Sequence, residues 1–275
     1  MKSLELLCQE HEGKICDKWS LYLTEYENLF DKYRERPVRL LEIGVQNGGS
    51  LEIWRKFFPD AERIVGCDID RNCASLQFDD PRIGLVLADA NTDAAERQIS
   101  AQCTSFDIVI DDGSHRSDDI VRSFSRYFPY LDDGGVYVVE DLHCSYWKEY
   151  PGSPFHAGGL FHPSAAIGFF KLLVDIVNHE HWGIDKTRME LLLNFQQRHG
   201  VHLDENALGT IHSVKFVNSL CIIKKKEARQ NILGARVVSG IAEMVAPGIG
   251  TLDGTTSQAP DQRNNAWSVR GAINY

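Results

Sequence analysis

The chain has 275 residues, of which 43% are hydrophobic and 25% are charged, and its formal net charge at pH 7 is −10. This length suits one domain with extensions, and the negative charge argues against nonspecific attraction to nucleic acid or to anionic membranes. No apolar run reaches about 18 residues, so we expect no membrane-spanning helix.

The first residues and the cysteines both indicate a cytoplasmic protein. The opening stretch MKSLELLCQEHEGK turns acidic too early for a secretory signal. The seven cysteines are odd in number and include no C-x-x-C pair, which favours reduced thiols over a disulfide framework. We therefore expect a cytoplasmic location.

Residues 1–36 are predicted to form an N-terminal helical cap. Packing against the rest of the protein is the simpler role for it, and covering a site is the alternative. The candidate buried positions at helical spacing are Leu4, Leu6, Leu7, Trp19, Leu21, Leu23, Tyr26 and Phe30.

The first predicted strand covers residues 38–43 and is followed by a glycine-rich turn. Gly44, Gly48 and Gly49 follow the strand, and a helix begins near Ser50. Because glycine lets the backbone approach a ligand closely, this arrangement is typical of a nucleotide-type pocket. The turn is not G-x-G-x-x-G and lacks the lysine of a P-loop, which argues against a triphosphate ligand.

Acidic residues follow the second and third predicted strands. Residues 63–67 form a strand that ends in Asp68-Ile69-Asp70, and residues 83–87 form one that ends in Ala88-Asp89-Ala90. A carboxylate after the second strand can accept hydrogen bonds from both hydroxyls of a ribose. Asp89 can accept one from an adenine amino group, so the pattern favours an adenosine-containing ligand.

Two further apolar runs, residues 106–110 and 136–139, are typical of parallel strands that are covered on both faces. Between them, residues 117–131 carry apolar side chains at helical spacing, and residues 132–135 are predicted to be the turn that ends this helix. The segment therefore predicts a strand–helix–strand unit.

The ends of these two strands carry the most informative side chains. Ligands of open α/β sheets bind beyond the carboxyl ends of the strands. Carboxylates that lie close together repel one another and are costly to bury unless a cation lies among them. The sequence therefore predicts a divalent metal site. Its candidate residues are Asp111, Asp112 and His115 after one strand, and Glu140, Asp141 and His143 after the other.

Simpler interpretations exist for each of these residues taken alone. Asp112 could cap the following helix, His115 could be a solvated residue of its first turn, and the pair Glu140-Asp141 could be an acidic loop. Their occurrence together at matching strand ends favours the metal site.

The order of these signals resembles the class I S-adenosylmethionine-dependent methyltransferases, whose motifs include E-x-G at the first strand, an acid ending the second and D-A after the third. The resemblance covers residues 38 to about 140. It implies a Rossmann-like α/β fold with a seven-stranded sheet, helices on both faces and an antiparallel last strand. Residues 213–216 and 220–224 would form the terminal hairpin. The alternative on this fold is another adenosine cofactor. The residues that the resemblance assigns to S-adenosylmethionine are Glu42, Gly44, Gly48, Ser50, Asp68, Asp89, Ala90 and Asp111.

Within that group, IDDGSH followed by VVEDLHCSYW is similar to the metal-dependent sugar O-methyltransferases of macrolide biosynthesis, the mycinamicin and macrocin type. This resemblance implies that Asp112, Glu140 and Asp141 bind Mg²⁺, with Mn²⁺ as an alternative. It places the general base at His115 and a glycosylated small molecule in the acceptor role. We therefore expect methylation of a sugar hydroxyl in a natural product or glycan.

The chemistry independently favours these residue types. A sugar hydroxyl is a poor nucleophile, and oxygen ligands hold Mg²⁺ with open positions at which substrate oxygens can bind. An imidazole can take up the proton near neutral pH. His143 lies in the same region of sequence as His115, and we interpret it as a supporting or substrate-binding residue rather than the base.

Acceptor contacts are predicted after the fifth strand. Tyr146 and Trp147 could stack on a sugar or merely pack the loop. Residues 150–163 form a long connection rich in Gly, Pro and His, which we interpret as the acceptor-specificity loop, with His156 and His162 as substrate contacts or solvated residues.

The remainder divides into two predicted helices, residues 165–179 and 186–198, the terminal hairpin and an extension after about residue 227. We expect a methyltransferase domain over residues 37–226 and a C-terminal extension over 227–275. Apolar residues on one face of residues 232–245 predict a short amphipathic helix that docks on the domain or on another subunit. We also expect a homo-oligomer, and a flexible tail after Pro247.

Two other functions remain open on the sequence alone. Cephalosporin hydroxylase-type sequences share this pattern, so an Fe(II)-dependent hydroxylase could use His115 together with carboxylates. A nonenzymatic, S-adenosylmethionine-binding partner subunit could also keep the fold.

Overall fold

The computed structural model describes residues 1–148 and 158–256, and in this part of the chain one sheet has seven strands in the order β3-β2-β1-β4-β5-β7-β6. Strands β1 to β5 pair in parallel, and β7 runs antiparallel to both of its neighbours. The predicted methyltransferase-type sheet is thus confirmed. The strands are β1 Arg39–Ile43, β2 Arg63–Asp68, β3 Ile83–Leu87, β4 Phe106–Asp111, β5 Leu131–Val139, β6 Ile211–Val217 and β7 Leu220–Lys225.

The strand order reverses between β1 and β4. From β1 the chain proceeds outward to β2 and β3, and it then returns to place β4 on the other side of β1. In open α/β sheets the crevice at such a reversal is where ligands bind. The carboxyl ends of β1 and β4, with Gly44 and Asp112 just beyond them, meet there.

Helices cover both faces of the sheet. Leu40 packs in one buried cluster with α2 and α3, and its neighbour Leu41 packs in the other with α4, α5 and α6. Successive side chains of a strand point to opposite faces, so coverage of both faces explains why the strands read as continuous apolar runs. The helices are α1 Leu4–Gln9, α2 Ser20–Phe30, α3 Gly49–Phe57, α4 Asp93–Gln102, α5 Ser117–Tyr127, α6 Ala166–Val177, α7 Arg188–Leu191, α8 Leu193–His199 and α9 Glu205–Gly209.

The N-terminal cap is only partly helical. Residues 10–19 between α1 and α2 lack helical structure, and Leu6, Trp19 and Leu21 are exposed rather than buried. Helix α2 begins at Ser20, and its phase places Tyr22, Tyr26 and Phe30 against the domain instead. These residues are spaced by four, so they share one helix face.

The strand–helix–strand unit differs from its prediction where the helix ends and the second strand begins. Helix α5 ends at Tyr127, and Phe128–Tyr130 forms a short 3₁₀ turn in which Pro129 cannot continue the helix. The predicted turn at residues 132–135 lies inside β5, where the pairing with β4 shifts and Gly134 has a φ of +85°. The prediction of that turn was wrong because Asp and Gly residues, which are typical of turns, also occur at irregularities within a strand. The predicted helix at 186–198 is likewise two helices, α7 and α8, on either side of Leu192.

The amphipathic helix predicted at residues 232–245 was wrong. This segment has no helix, and Val237, Ile241 and Val245 are 91%, 103% and 94% exposed. Gly234 and Gly240 have φ values of +80° and +93°, which are incompatible with a right-handed helix. Among residues 1–148 and 158–256, helices of the length and apolar character needed to cross a membrane are absent.

Candidate active site

A cavity of about 500 Å³ opens at the carboxyl ends of strands β1 to β4. It is lined by backbone and side chains from the glycine turn, from the ends of β2 and β3, from the segment after β4 and from residues 15–18 of the cap. The predicted site residues that line it are Gly44, Ser50, Asp68, Asp89, Ala90, Asp111, Asp112, His115 and Asp141.

Gly44 fixes the close approach of two strand ends. Its φ is +90°, and a Cβ at this position would lie 2.1 Å from the carbonyl oxygen of Asp112. The amide of Asp112 in turn donates to the carbonyl oxygen of Ile43 at 2.8 Å. A glycine is therefore required where the turn after β1 meets the segment after β4. Gly48 also has a positive φ, but it packs beside Phe78 and does not line the cavity.

The carboxylate of Asp68 shapes the glycine turn. One of its oxygens accepts from the amides of Val45 and Gln46 at 2.7 and 3.0 Å, and the other accepts from the amide of Asp70 at 2.8 Å. Asp70 is exposed and lines the same cavity. The structure thus offers two carboxylates at the end of β2, of which the sequence prediction assigned only Asp68.

Two acidic side chains at this end of the sheet are buried. Burial raises the pKa of Asp111 to about 7, and the Tyr137 hydroxyl donates to its carboxylate at 3.4 Å. Burial also raises the pKa of Glu42, which accepts from the Ser50 hydroxyl at 2.8 Å. Glu42 is fully buried and does not line the cavity.

A cation of the chain itself lies among the carboxylates, as the electrostatic argument requires. The ammonium of Lys18 contacts Asp112 Oδ2, lies 2.7 Å from Glu140 Oε1 and lies 3.4 Å from Glu42 Oε1. Burial disfavours its charge, but Glu140, Asp112 and Glu42 outweigh burial and raise the pKa of Lys18 well above its ordinary value. Lys18 was not predicted from the sequence. The predicted cluster of carboxylates needed a cation, and considering the chain's own lysines for that role would have made Lys18 a candidate.

The cap also contacts the end of β5. The Tyr26 hydroxyl donates to Glu140 Oε1 at 2.6 Å, and the Tyr22 hydroxyl and the Trp19 indole donate to Asp141 Oδ1 at 2.8 and 3.0 Å. Asp141 has a left-handed backbone, with a φ of +50°. The cap therefore packs on the domain and also contributes side chains to the acidic residues at the end of β5.

The acidic residues form two groups that share Asp112. Asp112, His115 and Asp141 can each offer a ligand atom within 4.8 Å of the others, and so can Glu42, Asp112 and Glu140. His115 Nε2 lies 3.8 Å from Asp141 Oδ2. Asp112 and Asp141 thus line the cavity with His115, while Glu140 lies in the buried group beside Lys18.

These residues fit a divalent ion that prefers oxygen. Carboxylate oxygens are the ligands that Mg²⁺ uses in proteins. Among residues 1–148 and 158–256, none donates a hydrogen bond to Asp112 Oδ1, Glu140 Oε2 or Asp141 Oδ2. Each predicted ligand therefore keeps one oxygen that accepts no hydrogen bond from these residues. In the described part of the chain, however, the three predicted ligands do not form one group within 4.8 Å, since Glu140 and Asp141 belong to different groups.

The predicted acceptor contacts lie beside the cavity rather than in its lining. His143 hydrogen-bonds to the Ser219 hydroxyl, and its ring lies 5.3 Å from that of Trp147 and 6.5 Å from that of Trp19. Tyr146 and Trp147 are 40% and 47% exposed. His162 accepts from the amide of Ser164, whereas residues 149–157, including His156, lie outside the described residues.

Comparisons with known proteins find methyltransferases among the similar chains. Residues 41–142 match the profile of a family described as a methyltransferase domain. A rhamnosyl tetracenomycin-C 2′-O-methyltransferase from Streptomyces olivaceus is 38% identical over 175 residues, which cover 60% of this chain and 44% of that protein. The mycinamicin VI 2″-O-methyltransferase of Micromonospora griseorubida is 33% identical over 208 residues, covering 71% of this chain and 47% of that protein. This chain thus spans about half the length of the curated relatives it matches.

A solved structure supports the fold. The MycE methyltransferase of mycinamycin biosynthesis, in complex with Mg, SAH and mycinamycin VI, superposes with a TM-score of 0.65 at 26% identity. The match covers 91% of this chain and 58% of that one. The predicted fold and the predicted resemblance to sugar O-methyltransferases are both confirmed.

Proposed function

We propose that this chain, which carries a methyltransferase domain of the kind found in the sugar O-methyltransferases of glycosylated natural products, transfers a methyl group from S-adenosylmethionine to a sugar hydroxyl. One observation carries the proposal: a single cavity joins the adenosine-type residues after β1, β2 and β3 to the carboxylates and the histidine after β4 and β5. The printed functions of the relatives, which modify rhamnosyl tetracenomycin and mycinamicin, give the acceptor class. They favour neither an iron-dependent hydroxylase nor a nonenzymatic subunit.

The cofactor half of the cavity follows from the strand ends. Gly44 allows the turn after β1 to approach the methionine portion, and Asp111 lies at the carboxyl end of β4 beside it. Because the Asp68 carboxylate already accepts three backbone amides, we assign the ribose hydroxyls to Asp68 and Asp70 together. Asp89 and Ala90 would contact the adenine.

We further propose that Asp112, Glu140 and Asp141 hold Mg²⁺ at the junction of the two halves. When bound, the ion would orient the sugar hydroxyl and lower its pKa. The structural match that contains magnesium supports this ion, and the manganese alternative receives no such support.

His115 is the proposed general base. It takes the proton from the attacking hydroxyl while the new oxygen–carbon bond forms and the sulfur–carbon bond of the cofactor breaks. Its Nε2 lies 3.8 Å from Asp141 Oδ2, so the imidazole lies beside the proposed metal site. His143, Tyr146 and Trp147 are proposed to contact the acceptor at the rim.

Other parts of the proposal rest on the sequence. They are a cap over residues 1–36, a catalytic domain over 37–226, an extension over 227–275, a cytoplasmic location, a homo-oligomeric state and the absence of a nucleic-acid partner.

The test is calorimetric titration of the wild type and Asp112→Asn with S-adenosylhomocysteine and with Mg²⁺, followed by methyl-transfer assays on rhamnosides and related glycosides. We expect both proteins to bind the cofactor product, and the substitution to abolish Mg²⁺ binding and turnover. Asp133→Asn is the matched control, because Asp133 is exposed near the opposite end of β5. A wild type that binds no cofactor would refute the methyltransferase proposal. One that binds cofactor but no Mg²⁺ would refute only its metal dependence.

A further inference from the structure

One short stretch of the cap, residues 18–26, contacts all three proposed metal ligands. Lys18 contacts Asp112 Oδ2 and Glu140 Oε1, and Tyr26 donates to that same Glu140 oxygen. Tyr22 donates to Asp141 Oδ1. These partners lie far apart in sequence, so the contacts form only when the cap is docked on the sheet.

Each of these carboxylates is held through one oxygen only. Asp112 Oδ2, Glu140 Oε1 and Asp141 Oδ1 accept from the cap, while the opposite oxygens accept no hydrogen bond from residues 1–148 and 158–256. An arrangement of this kind fixes the orientation of a ligand without using the atom that binds the metal. In metal sites, groups that hydrogen-bond to the ligands have this orienting effect.

The charges favour coexistence of the ammonium and a metal ion. Glu42, Asp112 and Glu140 surround Lys18, whose side chain is only 5% exposed, and Asp141 lies beside Asp112. If all four carboxylates are ionised, one ammonium leaves three negative charges uncompensated, and one divalent ion alone leaves two. The two cations together bring the group close to neutrality, so they complement rather than replace each other.

We propose that residues 18–26 form a carboxylate clamp in which Lys18, Tyr22 and Tyr26 are positioning residues of the metal site. This inference rests on the proposed function, because it assigns a second layer of residues to the same centre. The clamp fixes the orientations of Asp112, Glu140 and Asp141 through one oxygen each, and so limits how far these carboxylates must move to share one ion. In its absence the carboxylates repel one another and separate, so that the ion binds less tightly.

Two substitutions test the clamp, and each has a matched control. Tyr26→Phe removes one hydroxyl from a buried aromatic stack, and Lys18→Met removes the charge but keeps most of the side-chain volume. Tyr33→Phe is matched to the first, because the Tyr33 hydroxyl donates to Gly134, away from the site. Lys14→Met is matched to the second, because Lys14 pairs with Glu52 on α3.

The measurement is calorimetric titration of Mg²⁺ into each protein saturated with S-adenosylhomocysteine. We expect Mg²⁺ affinity to fall by roughly 10-fold in Tyr26→Phe and by up to roughly 100-fold in Lys18→Met. The two control variants should bind Mg²⁺ as the wild type does, and Lys18→Arg should recover part of the loss. Turnover of Tyr26→Phe should recover at higher Mg²⁺ concentration, which loss of a catalytic group would not permit.

Tighter Mg²⁺ binding in Lys18→Met would show that the ammonium competes with the metal, and it would overturn the clamp. Unchanged affinity in both Lys18→Met and Tyr26→Phe would also overturn it. If Lys18→Met does not fold, the comparison of Tyr26→Phe with Tyr33→Phe decides the question. A wild type that binds no Mg²⁺ removes the metal part of the proposed function and the clamp with it. A wild type that binds Mg²⁺ beside unaffected variants refutes the clamp alone.

Discussion

The N-terminal cap and the C-terminal extension both carry apolar residues at helical spacing, yet in the described residues only the cap buries some of them. In the cap, Tyr26 and Phe30 are fully buried, and their rings lie 5.3 and 5.8 Å from that of Trp54 on α3. In the extension, Val237 and Ile241 are almost fully exposed. An amphipathic pattern therefore predicts a helix only where a complementary surface receives its apolar face.

The two regions also differ in what holds them. The cap is held by an aromatic cluster that continues into the sheet's own core, and by ionic contacts to the site. The described part of the extension is attached by a few polar contacts, such as that from the amide of Leu233 to Glu180. We therefore expect the cap to behave as part of the folded domain and the extension to behave as a separate, weakly coupled segment.

The largest difference is expected in thiol chemistry. Burial raises the pKa of Cys16 in the cap to about 12, so only about one molecule in 10⁴ carries the thiolate at pH 8. A cysteine introduced as Val237→Cys would be exposed and have an ordinary pKa. It should react with iodoacetamide about a thousandfold faster than Cys16, as measured by peptide mass spectrometry.

The pH dependence of the two labelling rates gives a second way to compare the regions. Raising the pH from 7 to 9 should increase the labelling rate of Cys16 by about tenfold per unit, because its thiolate fraction stays small. The rate at Val237→Cys should level off as that thiol becomes ionised. Equal rates at the two positions would show that the cap opens as freely as the extension.

The second difference is expected in stability. Phe30→Ala removes a fully buried ring from the cap cluster and should lower the free energy of unfolding by about 3–5 kcal/mol. Val237→Ala should change it by less than about 0.5 kcal/mol, because that side chain is exposed. Urea denaturation of both variants measures the contrast, and similar losses in the two would contradict the separation of the regions.

Local patterns predicted the sheet because its central strands, such as β1 and β4, are buried on both faces. Residues 39–43 and 106–110 are mostly apolar, and both strands were predicted within one residue of their observed bounds. The residues at the strand ends followed from the same reasoning, since parallel strands bring their carboxyl ends to one edge. Asp112, His115 and Asp141 do meet there.

Long-range contacts escaped prediction for a physical reason. Lys18 lies 94 residues from Asp112 and 122 residues from Glu140 in the sequence. A local periodicity cannot predict a contact between residues so far apart. The division of the carboxylates into a buried group and a group lining the cavity depends on the same contacts. The residue at which α2 begins also determines which of its side chains face the domain. As a result Tyr22 contacts Asp141, while Leu21 is exposed.

The smallest effect is expected from substitution of two glycines in the extension. This experiment distinguishes two causes for the missing helix, the glycines themselves and the lack of a surface to pack on. Gly234 and Gly240 have positive φ, and replacing both by alanine removes a cost of about 1 kcal/mol at each position. An isolated helix shorter than about 12–15 residues is nevertheless marginal in water, so the variant should gain little ellipticity at 222 nm. If the missing surface is the main cause, trifluoroethanol should induce more helix in the variant than in the wild type, while the two remain similar in buffer. A gain of a full helix in buffer would identify the glycines as the cause. The extension would then differ from the cap through its two glycines and not through the lack of a surface to pack on.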